Sequence, residues 1–166
     1  MPRLPLALAL TLALTACTAP PDDAPEASGE TAASAASLTG TYTREHEVGI
    51  LDGEDYVPTP TADRLVLVED GDSLRVTFSL VRTNAHLCGW SGAMAPEAGG
   101  WVSREALDRS DAATCTLRLE VAADTLTLRD EDWECRRYLC GARALIDGAT
   151  FARSTWSPDT STVDLY

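Results

Sequence analysis

The chain has 166 residues, 45% of them hydrophobic and 23% charged, and a formal net charge of −13. This length allows one domain with a core of modest size and excludes a large multidomain enzyme. All positive side chains other than histidine are arginines, since the sequence contains no lysine, and this excludes a lysine nucleophile and a Walker-type phosphate loop. Because nucleic-acid affinity depends on Lys and Arg contacts to phosphates, the acidic balance predicts that nucleic acid is not a partner.

The first predicted element in the chain is a lipoprotein signal peptide, residues 1–16. Arg3 precedes an apolar run over positions 4–14, which is too short for a membrane span of roughly 20 residues but fits the apolar region of a signal peptide. The run ends in Leu-Thr-Ala-Cys at positions 14–17, which resembles the lipobox of bacterial lipoproteins. This resemblance implies that Cys17 carries lipid and becomes the first mature residue. An ordinary secretory peptide with an accidental cysteine is the alternative.

A lipid anchor and a tether are predicted next. Acyl chains would hold the protein on a membrane without a spanning segment, and Thr18 in place of aspartate implies the outer membrane by the sorting rule of Gram-negative lipoproteins. The domain would then lie in the periplasm or at the cell surface. Residues 18–37 contain no Val, Ile, Leu, Met or aromatic residue, so residues 17–37 are predicted to form a disordered tether. Cleavage before residue 17 removes Arg3 and no acid, which changes the net charge to −14.

Residues 38–157 are predicted to form one all-β domain, followed by a flexible tail over 158–166. Apolar and polar residues alternate in several segments, a pattern typical of strands with one buried face. Turn residues at 70–72 and 122–124 separate neighbouring segments and indicate hairpins. The eight predicted strands are 39–45, 64–69, 73–81, 86–94, 101–106, 115–121, 125–130 and 150–154. Consecutive hairpins favour a small antiparallel barrel, with a β-sandwich as the alternative, and two or three of the four tryptophans are expected to fill the barrel or cover its ends.

Four cysteines remain after the signal peptide, at positions 88, 115, 135 and 140. An even number in a small exported domain indicates two disulfides. A zinc site is the alternative, but the paired C-x2-C spacing of structural zinc sites is missing. The strand that follows Cys115 returns antiparallel and ends beside it, with Cys135 a few residues later. This geometry favours Cys115–Cys135 with Cys88–Cys140 over Cys135–Cys140 with Cys88–Cys115.

A block of about 70 residues carries a resemblance to known proteins. Its elements are Asn84-Ala85-His86, Cys88, Ser91-Gly92-Ala93, Cys115, Asp130, Cys135, and Cys140-Gly141-Ala142-Arg143 with Asp147-Gly148 and Phe151 downstream. They resemble a cysteine-containing β domain of small exported bacterial proteins, some of which are associated with lysozyme inhibition. The segment Leu38–Tyr42 also resembles the first strand of lipocalin-like small barrels.

A second resemblance concerns Ser91 and Gly92. Membrane-bound inhibitors of c-type lysozyme are lipid-anchored eight-stranded barrels whose inserting loop carries a Ser-Gly-x-x-Tyr motif, and Ala95 occupies the tyrosine position here. We expect a turn at a strand edge in this segment and predict Trp90, Ser91 and Gly92 as contact residues. The implied partner is a basic lysozyme-like hydrolase, towards which the acidic domain would be steered. Solubility of a tethered domain would explain the acidity equally well.

Catalysis, metal binding and cofactor binding are not predicted. The segment 89–93 misses the G-x-S-x-G pattern at its fifth position, and both histidines precede Ser91, contrary to the order in hydrolases with this motif. The acidic segments 52–55 and 130–134 lack the ligand spacing of an EF-hand. His46 lies between Glu45 and Glu47, which suggests a metal site. Neighbours on a strand point to opposite faces, so His46 cannot share a metal ion with both glutamates. Arg143 is expected to pair with Asp147 or to cap backbone carbonyls.

The sequence therefore predicts a lipid-anchored envelope protein that binds and does not catalyse. The leading hypothesis is a protein-binding module of lysozyme-inhibitor type. The alternatives are a binder of a small ligand or envelope component at the barrel mouth and a structural surface lipoprotein. A pocket inside the barrel would favour the small-ligand hypothesis, whereas a filled interior would favour the other two.

Overall fold

A computed structural model describes residues 38–106 and 114–161. The predicted signal peptide, the lipidation at Cys17, the tether and the last five residues of the predicted tail lie outside the described residues. Within them, no helix is long and apolar enough to cross a membrane.

Nine antiparallel strands dominate the described residues. They are β1 (Gly40–Asp52), β2 (Asp55–Asp70), β3 (Ser73–Arg82), β4 (His86–Glu97), β5 (Gly100–Ala106), β6 (Thr114–Val121), β7 (Thr125–Asp130), β8 (Ala149–Ala152) and β9 (Trp156–Ser157). A single short helix, α1 (Arg136–Leu139), follows β7 in this part of the chain. From β1 to β8 each strand pairs with the next, and β9 pairs with β1. The result is a nearly closed meander barrel, which confirms the predicted all-β fold.

Nine strands are present where eight were predicted, because the last predicted strand is replaced by two short ones, β8 and β9. The last segment breaks at a 3-10 turn, Arg153–Thr155, so β8 pairs with β7 and β9 pairs with β1. The Trp156 Nε1 donates a hydrogen bond to the Thr39 carbonyl at 2.9 Å. A Cβ atom on Gly40, whose φ is +148°, would lie 2.1 Å from the same indole nitrogen. Only glycine therefore allows the chain end to close against β1.

The barrel interior is one continuous apolar cluster that takes side chains from every strand between β1 and β8. The alternating residues of β3, β6 and β7 that were predicted to face inward are buried, among them Phe78, Leu119 and Leu128. Trp90 and Trp101 are buried in this cluster, as predicted for two of the four tryptophans. A filled interior leaves binding to the outer surface and the barrel ends.

The β1–β2 hairpin is far longer than predicted. The sequence pattern ended the first strand at 45 and began the second at 64, yet pairing is continuous from Gly40↔Leu67 to Asp52↔Asp55. Pro58 and Pro60 obscured the strand, because proline lacks a donor for the ladder. Two residues apart, they place their nitrogens on one edge of β2, and β3 pairs with β2 only from Arg64 onward. Prolines are tolerated on such an unpaired edge.

Both predicted disulfides are confirmed, Cys88–Cys140 and Cys115–Cys135, with Cα–Cα distances of 4.0 and 4.8 Å. The first one closes a gap in the barrel wall, because β4 pairs with β5 only over 95–97. Before Ala95, β4 has no partner in β5. There Cys140 pairs with Cys88 in an isolated antiparallel β-bridge, and the Gly141 N–H donates to the Leu87 carbonyl at 2.8 Å.

Candidate functional site

The predicted contact residues lie in the middle of a strand. Ser91 is opposite Thr77 and Gly92 is opposite Val76 in the β3–β4 ladder, so the prediction of a strand-edge turn in this segment is wrong. Alternation along β4 separates the three residues, because Trp90 points into the core and is only 6% exposed, whereas Ser91 faces outward.

Gly92 supports the buried tryptophan. A Cβ atom on Gly92 would lie 2.3 Å from the Trp90 ring, and the indole Nε1 donates to Glu105 Oε2 at 3.1 Å across the β4–β5 gap. The Ser91 Oγ and the Thr77 Oγ1 are 2.7 Å apart and share a hydrogen bond. The structure thus assigns Trp90 and Gly92 to the barrel wall, and only Ser91 is available at the surface.

The most exposed feature of the described residues is the free part of the β1–β2 hairpin, residues 45–62, which we call the ribbon. Its two strands pair with each other, while the ladders to β9 and β3 cover only residues 41–42 and 64–70. Every residue from 51 to 60 is exposed. The ribbon contains five acids and no arginine, and three of its exposed side chains are large and apolar: Leu51 (50%), Tyr56 (57%) and Val57 (45%).

The ribbon is held near its tip by a strained turn between β3 and β4. The Asn84 Oδ1 accepts a hydrogen bond from the Leu51 N–H at 2.8 Å, and Asn84 itself has a φ of +56°. The Tyr56 ring packs across Gly49, where a Cβ would approach to 3.1 Å. An isolated two-stranded hairpin is marginal in water, so these contacts give the ribbon a defined conformation.

A buried carboxylate, Asp63, organises the end of the barrel from which the ribbon emerges. Asp63 is 0% exposed and accepts hydrogen bonds from the guanidinium groups of Arg44 and Arg82. The Val81 N–H donates to its Oδ1 at 2.7 Å, and the His46 Nε2 lies 3.1 Å from the same oxygen. Two guanidinium groups therefore face one carboxylate.

The charge of Asp63 is stabilised by these donors. Burial pushes the pKa of Asp63 upward, but the Val81 N–H, the charge of Arg82 and the hydrogen bonds from both arginines outweigh it, and the pKa lies below its ordinary value. An ionised, fully paired carboxylate at the barrel end is a structural anchor, because its oxygens have no capacity left for a ligand.

Two surface depressions flank this cluster. A groove of about 520 Å³ runs beside Arg44, His46 and Arg82 and is also lined by Glu45, Glu47 and Asp147. A smaller pocket of about 180 Å³ lies beside the ribbon tip and is lined by Tyr56, Asn84 and Arg82 among others. Arg82, Thr83 and Leu145 line both depressions, but only the groove also has acidic lining residues.

The acidic segments do not assemble a metal site within the described residues, where no group of three or more His, Cys, Asp or Glu side chains could hold an ion. Residues 52–55 form the ribbon tip. Asp130 is buried and accepts the backbone N–H groups of Cys135 and Arg136 at 3.1 and 2.9 Å, so it caps the start of α1.

The predicted pairing of Arg143 with Asp147 is wrong. The Asp147 Oδ1 accepts the Asp130 N–H at 3.3 Å, and the salt bridges among the described residues do not include Arg143. Arg143 has a φ of +68°, and it is one of the residues that line the small pocket beside the ribbon tip.

Sequence reasoning missed both the ribbon and Asp63. Asp63 lies just before the predicted start of β2, and its arginine partners are each 19 residues away along the chain. The only signal in the sequence was an acidic residue next to an apolar strand. Such an acid is commonly exposed to solvent, so its position alone did not indicate burial. Comparison with models of protein families, with curated proteins and with solved structures found no match for this chain.

Proposed function

We propose that this chain is a lipid-anchored outer-membrane protein that binds a basic, lysozyme-type cell-wall hydrolase and inhibits it, with the ribbon as the contact element. The observation that carries the proposal is the ribbon itself, a two-stranded projection with acidic and apolar side chains exposed together. Exposed apolar side chains within a polar rim are typical of protein-binding surfaces.

The position of the ribbon outside the core favours a protein partner over a small ligand. The barrel interior is filled by apolar side chains, which removes the support for a ligand held inside the barrel. The hydrogen bond from Leu51 to Asn84 restrains the ribbon near its tip, which lowers the ordering entropy that binding would cost. A ribbon two strands wide is narrow enough to enter an open substrate cleft.

Charge supports a basic partner. The ribbon carries five acids and no arginine, and the mature chain carries a net charge of −14 after the loss of Arg3. Such a field would raise the rate of association with a cationic protein at low salt. The predicted lipid anchor at Cys17 would keep the domain in the compartment where cell-wall hydrolases act.

Direct binding tests the proposal. The mature chain, residues 17–166 with Cys17→Ser so that no lipid is attached, would be immobilised and exposed to c-, g- and i-type lysozymes at low and at physiological salt. We expect saturable binding of at least one class and a slower association rate at higher salt, because screening acts over about 10 Å at 0.1 M. Absence of binding to all three classes would leave a structural surface lipoprotein as the better account.

A further inference from the structure

The small pocket beside the ribbon tip has the composition of an anion site, and this inference does not depend on the proposed function. The polar residues that line it are Tyr56, Arg82, Thr83, Asn84, His86 and Arg143, and none of its lining residues is acidic. In a chain with 26 acidic side chains and a net charge of −13, a pocket lined only by cationic and neutral groups is an unexpected local reversal of charge.

The cations at this pocket are not neutralised by the acids around them. Arg82 shares the single carboxylate of Asp63 with Arg44. The two arginines and one aspartate therefore carry a net charge of +1. Arg143 makes no salt bridge within the described residues and adds a second unmatched charge. About two positive charges therefore border a volume of about 180 Å³.

Arg82 is already positioned to donate into the pocket. Its Nη1 bonds Asp63 and the Val81 carbonyl, and its Nε donates to the Leu145 carbonyl at 3.3 Å. These contacts fix the guanidinium plane, while its Nη2 makes no hydrogen bond to any described residue. The His86 ring lies beside Gly141, 3.3 Å from the position that a Cβ would take there, and its nitrogens likewise have no acceptor among the described residues.

The backbone around the pocket is held in an unfavourable conformation. Four residues other than glycine have a positive φ in the described chain, and three of them belong to this region: Asn84 (56°), Ala85 (53°) and Arg143 (68°). Such conformations persist only where surrounding contacts determine them, and they concentrate at functional sites. Two of the three, Asn84 and Arg143, are among the residues that line the pocket.

We propose that this pocket binds a phosphate group, with Arg82, His86 and Arg143 as its donors. A phosphate monoester carries about −1.5 to −2 charges at pH 7, which matches two unmatched cations better than a single carboxylate does. Arginine guanidinium groups are suited to phosphate oxygens because they present several N–H donors in one plane. The phosphate belongs either to a small soluble molecule or to a lipid headgroup, and the experiment separates the two sources.

The test uses the two histidines as reporters, because the chain contains only these two. Inorganic phosphate is titrated into the mature Cys17→Ser chain at constant pH and ionic strength, and the imidazole proton signals are followed by NMR. We expect a saturable shift of the His86 signals, with His46, which does not line this pocket, as the internal reference. Sodium chloride at matched ionic strength is the control for screening.

Arg143→Asn removes a cation without opposing the backbone, since asparagine tolerates positive φ. It should weaken phosphate binding about tenfold or more, whereas Arg75→Gln, in an exposed pair with Asp70, should leave it unchanged. Vesicles of neutral lipid with and without phosphatidic acid then assign the source: retention by the phosphatidic acid vesicles indicates a headgroup, and binding of phosphate alone indicates a soluble ligand. The proposal is overturned if neither probe binds, if His46 and His86 shift alike, or if Arg143→Asn binds phosphate as the wild type does.

Discussion

Asp63 shows how one buried charge can define the end of a small barrel. Its carboxylate is fully buried, yet it ties Arg44 on β1, Arg82 at the end of β3 and the backbone of Val81 into one cluster. Burial of an unpaired carboxylate would cost several kcal/mol. The two arginines are therefore required for Asp63 to be buried and ionised. The same contacts hold Arg82 at the small pocket beside the ribbon tip.

Replacement of Asp63 should be among the most damaging single changes in the barrel. In Asp63→Asn two guanidinium groups lose their counter-charge, and we expect the free energy of unfolding to fall by about 3–5 kcal/mol, measured by urea denaturation. Asp70→Asn is the matched control, since the Asp70–Arg75 pair is half-exposed on both sides and should cost about 1 kcal/mol or less. Equal losses in the two variants would contradict the anchoring role of Asp63.

The lowered pKa of Asp63 also predicts a pH dependence of stability. The folded state favours the ionised carboxylate more than the unfolded state does, so the contribution of Asp63 is complete above the ordinary carboxyl pKa of about 4. It is lost as the pH falls through the lower folded pKa. Urea denaturation between pH 7 and pH 2 should therefore show a steeper decline for the wild type than for Asp63→Asn. Parallel curves would mean that Asp63 does not have a lowered pKa.

At the scale of elements, the sequence predicted the strands with two-residue alternation and missed those without it. The alternating stretches 74–80 and 115–121 lie in β3 and β6, as predicted, because each has one face against the core. Residues 51–60 of the ribbon are exposed on both faces, so no alternation marks them, and the prolines at 58 and 60 argued against a strand. The contact residues predicted around Trp90 were inferred from a motif, and the motif falls in a strand where alternate residues face the core.

The two disulfides should contribute unequally to stability. Cys88–Cys140 closes a span of 52 residues and Cys115–Cys135 a span of 20. In the chain-entropy account these loops correspond to about 4 and about 3 kcal/mol. We therefore expect the double variant Cys88→Ala with Cys140→Ala to unfold at a lower urea concentration than Cys115→Ala with Cys135→Ala. The reverse order would show that Cys88–Cys140 does not contribute more to the free energy of unfolding than Cys115–Cys135.

At the scale of the whole molecule, the barrel and its disulfide pairing could be predicted, whereas the sites on its surface could not. Burial imposes periodicity on a sequence, and the cysteine positions combined with hairpin geometry left few pairings open. The pocket beside Arg82, His86 and Arg143 joins residues from the ends of separate elements. Residues that come from different elements show no regular spacing in the sequence. Only the folded barrel brings these side chains together.

If Cys17 carries lipid, as the sequence predicts, the anchor places the whole molecule at a membrane. Mass spectrometry of the mature protein from its native membrane should show an acylated cysteine at position 17 as the first residue, because the Leu-Thr-Ala-Cys segment resembles a lipobox. Cys17→Ser should remain unacylated and serves as the control. A mature chain that begins at another residue, without lipid, would remove the membrane from this account.

Inhibition assays with ribbon variants test the central claim most directly. The wild-type mature chain and the variant Leu51→Ser with Val57→Ser would be compared as inhibitors of c-, g- and i-type lysozymes, with Tyr138→Ser, also about half-exposed but on α1, as the control. Since Leu51 and Val57 lie outside the core, unfolding in urea should change little. We predict that the wild type and Tyr138→Ser inhibit at least one class at micromolar concentration and that the ribbon variant does not. Full activity of all three classes with the wild type, or equal inhibition by the ribbon variant, would contradict the account.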